Sequence, residues 1–227
     1  MGKKPAKMCV AADTVCFRFT PPDEVDLLLI ERGNDPQKGF WALPGGFVDI
    51  DEDLPNAAAR ELKEETGLEP TVIEQVGAWG RPGRDPRGRT VSVVYLATAQ
   101  PGSDGIKGGD DANRAEWHPL DRLPSLAFDH TDIASEALKK LRKDIERTHI
   151  AFSLLKEEFS SEQLARLIRA LGGISPENAS ARLIAAGNTE IADKTEDKYK
   201  MIDHDFLAPL AEPVFVFPMK VFGYTTR

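Results

Sequence analysis

Short apolar runs alternate with Gly- and Pro-rich turns along the chain from Cys9 to about Leu123. Asp13–Phe19 and Asp26–Glu31 read as strands, split by Thr20-Pro21-Pro22-Asp23, through which neither strand nor helix continues. Thr90–Thr98 (TVSVVYLAT) is rich in β-branched residues and is the strongest strand signal. One helix, about Pro55–Thr66, interrupts these strands. A second follows at Ile133–Arg147, where Ile133, Ala137, Leu138, Leu141 and Ile145 recur at helical spacing.

The last 80 or so residues change character, which places a domain boundary near Thr148 and gives two units, 1–147 and 148–227. Ser161–Leu171 reads as a helix opened by Ser160 or Ser161 and closed by Gly172-Gly173. Ser175–Ala186 reads as another, with Ser175 as N-cap, Pro176 in the first position and Gly187 at its end. Thr189–Ile202 has the pattern of a hairpin. Pro213–Tyr224 is an apolar strand, either packed in a core or exchanged between subunits. Helix, turn, helix, hairpin is the order of a winged helix.

Composition narrows the class. The 227 residues carry 29 Lys+Arg against 37 Asp+Glu, a net charge of −8. That balance argues against a nonspecific polyanion binder, whose affinity needs clustered positive charge. No apolar run approaches the ~18–20 residues of a membrane span. The basic start MGKKPAKM leads into no sustained apolar stretch, so no signal peptide is expected. Cys9 and Cys16, an odd seven apart in a strand, point to opposite faces and read as reduced thiols of a cytoplasmic protein.

Gly45–Leu68 (GGFVDIDEDLPNAAARELKEETGL) carries the chemistry. Gly67 supplies the left-handed cap that ends the helix, and Leu68 folds back as an apolar contact. Glu61, Glu64 and Glu65 stand at i, i+3 and i+4, so three carboxylates share one face and repel one another. Such a face is either solvated or a cation site. Glu52 just ahead of the helix, and Gly45-Gly46 with an unhindered carbonyl near the glutamates, favour the cation. Mg²⁺, with Mn²⁺ as the substitute, suits oxygen ligands shared with a substrate diphosphate.

Written as Gly46-x5-Glu52-x7-Arg60-Glu61-Leu62-x-Glu64-Glu65-x-Gly67-Leu68, the segment resembles the Nudix box at every fixed position. The resemblance extends over roughly Cys9–Arg147. It implies an α/β/α sandwich with a mixed sheet, and hydrolysis of a nucleoside diphosphate linked to another moiety. It also implies that Glu61, Glu64, Glu65 and the Gly45 carbonyl hold metal and that Arg60 orients a glutamate. Gly46 and Glu52 would support the loop. A later carboxylate, Glu116 first and Asp110, Asp111 or Asp129 after it, would join the catalytic set unless it is a solvated loop charge.

A second similarity concerns the substrate. RDPRGR (Arg84–Arg89) before the strand TVSVVYLA, with Leu126-Ala127-Phe128-Asp129-His130 later, resembles the ADP-ribose pyrophosphatase branch. It equally resembles the Nudix-related transcriptional regulators of NAD metabolism, which carry a C-terminal winged helix. Arg84, Arg87 and Arg89 are either donors to phosphate and ribose or merely keep a turn soluble. Trp79 either stacks on adenine or packs in the core. Homodimerisation follows from the resemblance alone. The complete box favours an enzyme cleaving ADP-ribose to AMP and ribose 5-phosphate. The alternative is an ADP-ribose-responsive regulator, disfavoured because residues 148–227 hold 9 Lys+Arg against 11 Asp+Glu, net −2.

Overall fold

The central strands are buried almost continuously, on both faces of one mixed sheet. The computed structural model describes residues 7–109, 112–145, 150–172, 192–195 and 198–201. β1 (Cys9–Thr20) is central and continues four residues ahead of the stretch its sequence marks most strongly. It runs parallel to β6 (Thr90–Ala99) from Cys9↔Thr90 to Arg18↔Ala99. Its C-terminal half pairs antiparallel with β2 (Glu24–Arg32), and its N-terminal half with β4 (Gly45–Phe47). β3 (Trp41–Ala42) and β7 (Ala112–Pro119) pair with β2, and β5 (Val72–Trp79) closes the other edge on β6.

Alternate residues on these strands enter different cores. Val15, Phe17 and Phe19 of β1, Val25, Leu27 and Leu29 of β2, and Val94 and Leu96 of β6 face one cluster. That cluster also takes Ile133, Ala137, Leu141 and Ile145 of α2 (His130–Ile145). The helix begins three residues before the expected Ile133 because His130 is drawn inside, as the site geometry below explains. Cys16, Leu28, Ile30 and Ala97 face the opposite side, against Leu62 of α1 (Leu54–Thr66). The thiols do part: Cys9 is exposed and Cys16 buried. The result is the α/β/α sandwich with a mixed sheet.

α1 takes shape for reasons visible in its ends. Pro55 sits in the first turn, where a missing N–H costs nothing. Gly67 at φ 73 closes it, donating its N–H to the Lys63 carbonyl at 2.8 Å, and Leu68 joins the cluster around Leu62. Ala57, Ala58 and Leu62 form the buried stripe, and the small alanines let the helix lie close to the sheet. Thr14 Oγ1 of β1 donates to the Ala58 carbonyl at 3.2 Å across that contact. This docking fixes where the glutamates of the opposite stripe emerge.

The expected boundary near Thr148 falls among residues outside those described. On its far side, α3 (Ile150–Ser153) and α4 (Ser161–Leu171) bury Ile150, Phe152, Leu164, Leu167 and Leu171 in the same cluster as α2. α4 has its Ser160 cap, with Ser160 and Gln163 bonded reciprocally, and ends at Gly172. β8 (Glu158–Ser160), β9 (Ala192–Thr195) and β10 (Lys198–Met201) form a small sheet in the order β8-β10-β9. β9 and β10 lie within the expected hairpin and pair antiparallel. The expected helix Ser175–Ala186 and strand Pro213–Tyr224 lie outside the described residues. No helix among the described residues is long and apolar enough to cross a membrane.

Candidate active site

Where β1 meets β4, the backbone leaves no room for a side chain. Gly45 has φ 154, and a Cβ there would collide with the Ala12 carbonyl and with Asp13. A Cβ on Gly46 would overlap the carboxylate of Glu61. This close approach brings β4 against the glutamate face of α1. The Gly45 N–H donates to Glu65 Oε2 at 2.8 Å, tying strand to helix.

Arg60 organises the remaining carboxylates. Its Nε and Nη2 each donate to Glu52 at 2.9 Å, and its Nη1 donates to Glu61 at 2.8 Å and Glu64 at 2.9 Å. A planar fork suits this arrangement, since one cation satisfies three acids that would otherwise repel. Glu52 is held below the usual carboxylate range chiefly by its bond to Arg60. Glu61 moves the other way: burial raises it, against the pull of Arg60. Arg60 itself is driven up, most by Glu52. Among the described residues no three acidic, His or Cys side chains converge on one point, because Glu61 and Glu64 turn to Arg60 and Glu65 to Gly45.

A cavity of about 190 Å³ opens beside this cluster. Gly45, Gly46, Glu61 and Glu65 line one part of it, and Arg32, Asn34, Arg84, Arg87, Phe128 and His130 line others. Glu64 stands outside, with a side chain 44% exposed. The Arg84–Arg89 turn contributes two of its three arginines. Arg84 is clamped by Asp129, Nε to Oδ2 at 2.9 Å and Nη2 to Oδ1 at 2.7 Å, with Asp13 3.8 Å away. Burial opposes the charge on Arg84, but the Asp129 bonds and nearby Asp13 outweigh it and raise its pKa. Arg87 is braced by the buried Asp85 and lies 5.1 Å from the Phe47 ring centre. Arg89 donates to the Thr90 carbonyl at 3.2 Å and does not line the cavity.

Other expected residues fall elsewhere. Trp79 packs against the α2 side of the core and lines no part of the cavity. Glu116 on β7 is 44% exposed, pairs with Arg114 at 3.0 Å and also lies off the cavity. Asp110 and Asp111 lie outside the described residues. Asp129 is committed to Arg84.

Other cavity residues, Asp13, His130, Arg32 and Phe128 among them, are not singled out individually by the sequence patterns. Asp13 is 7% exposed and accepts from the Ser92 hydroxyl. A lone acid within the apolar run CVAADTVCF was the available signal. His130 Nδ1 accepts the Leu43 N–H at 3.0 Å, steadying the backbone just before Gly45, and burial lowers its pKa. Arg32 sits 4.9 Å from the Phe128 ring centre.

Comparison with known proteins bears on this geometry. The model of the NUDIX domain matches residues 10–141. The chain is 47% identical over 113 residues to an ADP-ribose pyrophosphatase of Methanocaldococcus jannaschii, covering 50% of this chain and 66% of that protein, just under two thirds of it. It is 32% identical over 205 residues to the ADPR responsive transcriptional repressor NtrR of Acinetobacter baylyi, covering 82% and 80%. The solved structure of Shewanella oneidensis NrtR complexed with a 27mer DNA superimposes with a TM-score of 0.69 at 27% identity, covering 88% of this chain and 96% of that one.

Proposed function

The chain belongs to the Nudix family, and from that premise we propose that it is a Mg²⁺-dependent hydrolase cleaving ADP-ribose to AMP and ribose 5-phosphate. The observation that carries the reading is the box itself: Arg60 holds Glu52, Glu61 and Glu64 while Glu65 bonds Gly45, all beside an arginine-bearing cavity. The name of the 47% identical relative supports ADP-ribose as the substrate.

The donor set fits a hard divalent cation. Glu61, Glu64 and Glu65 would supply carboxylates, and the Gly45 carbonyl would come from a residue with no side chain to cover it. Mn²⁺ would serve with the same ligands. When bound, the metal supplies charge neutralisation at the diphosphate and a more acidic water. The chain's residues do the rest. Arg60 keeps the glutamates in register, and Gly46 lets the loop lie against Glu61. Arg87, fixed by Asp85, offers its guanidinium to the diphosphate or ribose. A glutamate of the cluster would accept the proton of the attacking water.

The second reading is a nucleotide-responsive regulator. Its support is the repressor relative, whose similarity runs through 205 residues rather than the Nudix segment alone. We assign 1–147 to the Nudix unit and 148–227 to a winged-helix-like unit, a reading supported by α4 and the β8-β10-β9 sheet. Its net charge of −2 keeps DNA binding in second place. We retain a homodimer in the cytoplasm as part of the proposal. The test is turnover of ADP-ribose with Mg²⁺ beside salt-dependent binding to the DNA upstream of its own gene. Turnover supports the hydrolase. Tight sequence-specific binding near physiological salt without turnover reverses the ranking.

A further inference from the structure

Two residues without glycine's freedom adopt left-handed backbone, and one of them lines the cavity. Among the described residues, Gln37 (φ 62) and Phe128 (φ 52) are the non-glycine residues with positive φ. They are bonded to each other: the Phe128 N–H donates to Gln37 Oε1 at 2.9 Å, across 91 positions of sequence. A strained conformation of this kind costs on the order of 1–3 kcal/mol and persists only where surroundings hold it. Here the strain sets one side chain. The Phe128 ring lines the cavity that Glu61 and Glu65 also line. Arg32 lies 4.9 Å from its centre, Arg87 6.0 Å, and the His130 ring 5.5 Å.

We propose that Phe128 is the surface on which the substrate's nucleobase stacks, and that Gln37 is a positioning residue that holds it there. This rests on the ADP-ribose reading and deepens it. An aromatic ring on the cavity wall offers a π-face to a planar base, while the guanidinia of Arg32 and Arg87 beside it offer donors to phosphate or ribose oxygens. The cavity then has a division of labour, with the diphosphate at the carboxylates and the base at Phe128. Stacking reads the presence of a base and not its identity, since every base has a π-face. Trp79 packs in the core, whereas Phe47 also lines the cavity, with Arg87 5.1 Å from its ring centre, and is distinguished from Phe128 by lacking the Gln37 bond that fixes the ring's backbone.

The test compares two substrates on the full-length chain with Mg²⁺: ADP-ribose, and the base-free diphosphate in which ribose replaces adenosine. Phe128→Ala should lower the ratio of kcat/KM for ADP-ribose to that for the base-free compound by roughly 5- to 150-fold. The loss should lie mainly in KM. Phe128→Trp should restore most of the ratio, and Gln37→Met should lower it less than Phe128→Ala does. An equal fall on both substrates would mean that the ring only supports the fold, and would overturn the inference. If the wild type turns over neither compound, the hydrolase reading fails on its own. The inference is then judged by AMP and ribose 5-phosphate binding: selective loss of AMP affinity in Phe128→Ala supports it, and unchanged AMP affinity overturns it.

Discussion

Arg84→Ala should cost the fold heavily, because Arg84 lies between two acids, Asp13 and Asp129. Its side chain is 6% exposed, Asp13's 9% and Asp129's 21%. Removing one partner of a buried pair costs about 3–5 kcal/mol, since the other charge stays behind unpaired. Asp129 retains some access to water, which discounts that range. Asp13, 3.8 Å from Nη2, adds an attraction of ~4 kcal/mol at an effective dielectric near 20, before desolvation is set against it. A net loss of about 2–4 kcal/mol follows. Arg84→Lys keeps a charge but not the two parallel bonds, and should recover about half of this. Asp129→Asn leaves Arg84 its partner Asp13 and should cost only about 1–2 kcal/mol. Urea unfolding followed by tryptophan fluorescence and circular dichroism measures all three. Arg84→Ala within about 0.5 kcal/mol of wild type, or Arg84→Lys indistinguishable from it, would refute the reasoning.

Three further outcomes are expected. Gly46→Ala places a Cβ against the Glu61 carboxylate, so turnover of ADP-ribose should fall by about 10²-fold while the circular dichroism spectrum is kept; undiminished turnover contradicts the close approach. Arg60→Lys loses the fork that joins Glu52, Glu61 and Glu64, and the Mg²⁺ concentration for half-maximal rate should rise about 10–100-fold, a shift that kinetic titration reads directly. Burial holds the His130 pKa below its ordinary 6.5, so between that folded value and 6.5 the unfolded chain binds a proton that the folded chain does not. Its contribution is complete above about pH 6.5 and is lost as pH falls through the folded value. Urea midpoints from pH 7.5 to 5.0 should therefore decline, and His130→Gln should flatten the decline; parallel curves would exclude His130 as its source.

The parts of this protein legible in its sequence are those governed by local rules. α1 is bounded by Pro55 and Gly67, and its buried stripe follows from helical spacing. The Glu61, Glu64 and Glu65 face follows from the same spacing, and the box resemblance implies that Arg60 orients a glutamate without saying that it holds Glu52, Glu61 and Glu64 together. What stayed hidden depends on contacts distant in sequence. Arg84 looked like a ligand donor beside Arg87, yet Asp129, 45 residues on, takes its fork. Glu116 looked like a site carboxylate, but β7 pairs with the edge of β2 and sets it beside Arg114. Phe128 gave no periodic signal, because its place in the cavity depends on a left-handed backbone bonded to Gln37. Asp13 was visible as an acid in an apolar strand, but its meaning needed Arg84 and Ser92.

On the proposed function, the glutamate face of α1 carries diphosphate hydrolysis. Phosphorus NMR of ADP-ribose incubated with Mg²⁺ and either the wild type or the Glu64→Gln, Glu65→Gln double variant tests it directly. The wild type should yield AMP and ribose 5-phosphate, and a double variant with an unchanged circular dichroism spectrum only background conversion. A double variant that hydrolyses ADP-ribose at the wild-type rate, or a wild type that leaves it intact, would contradict it.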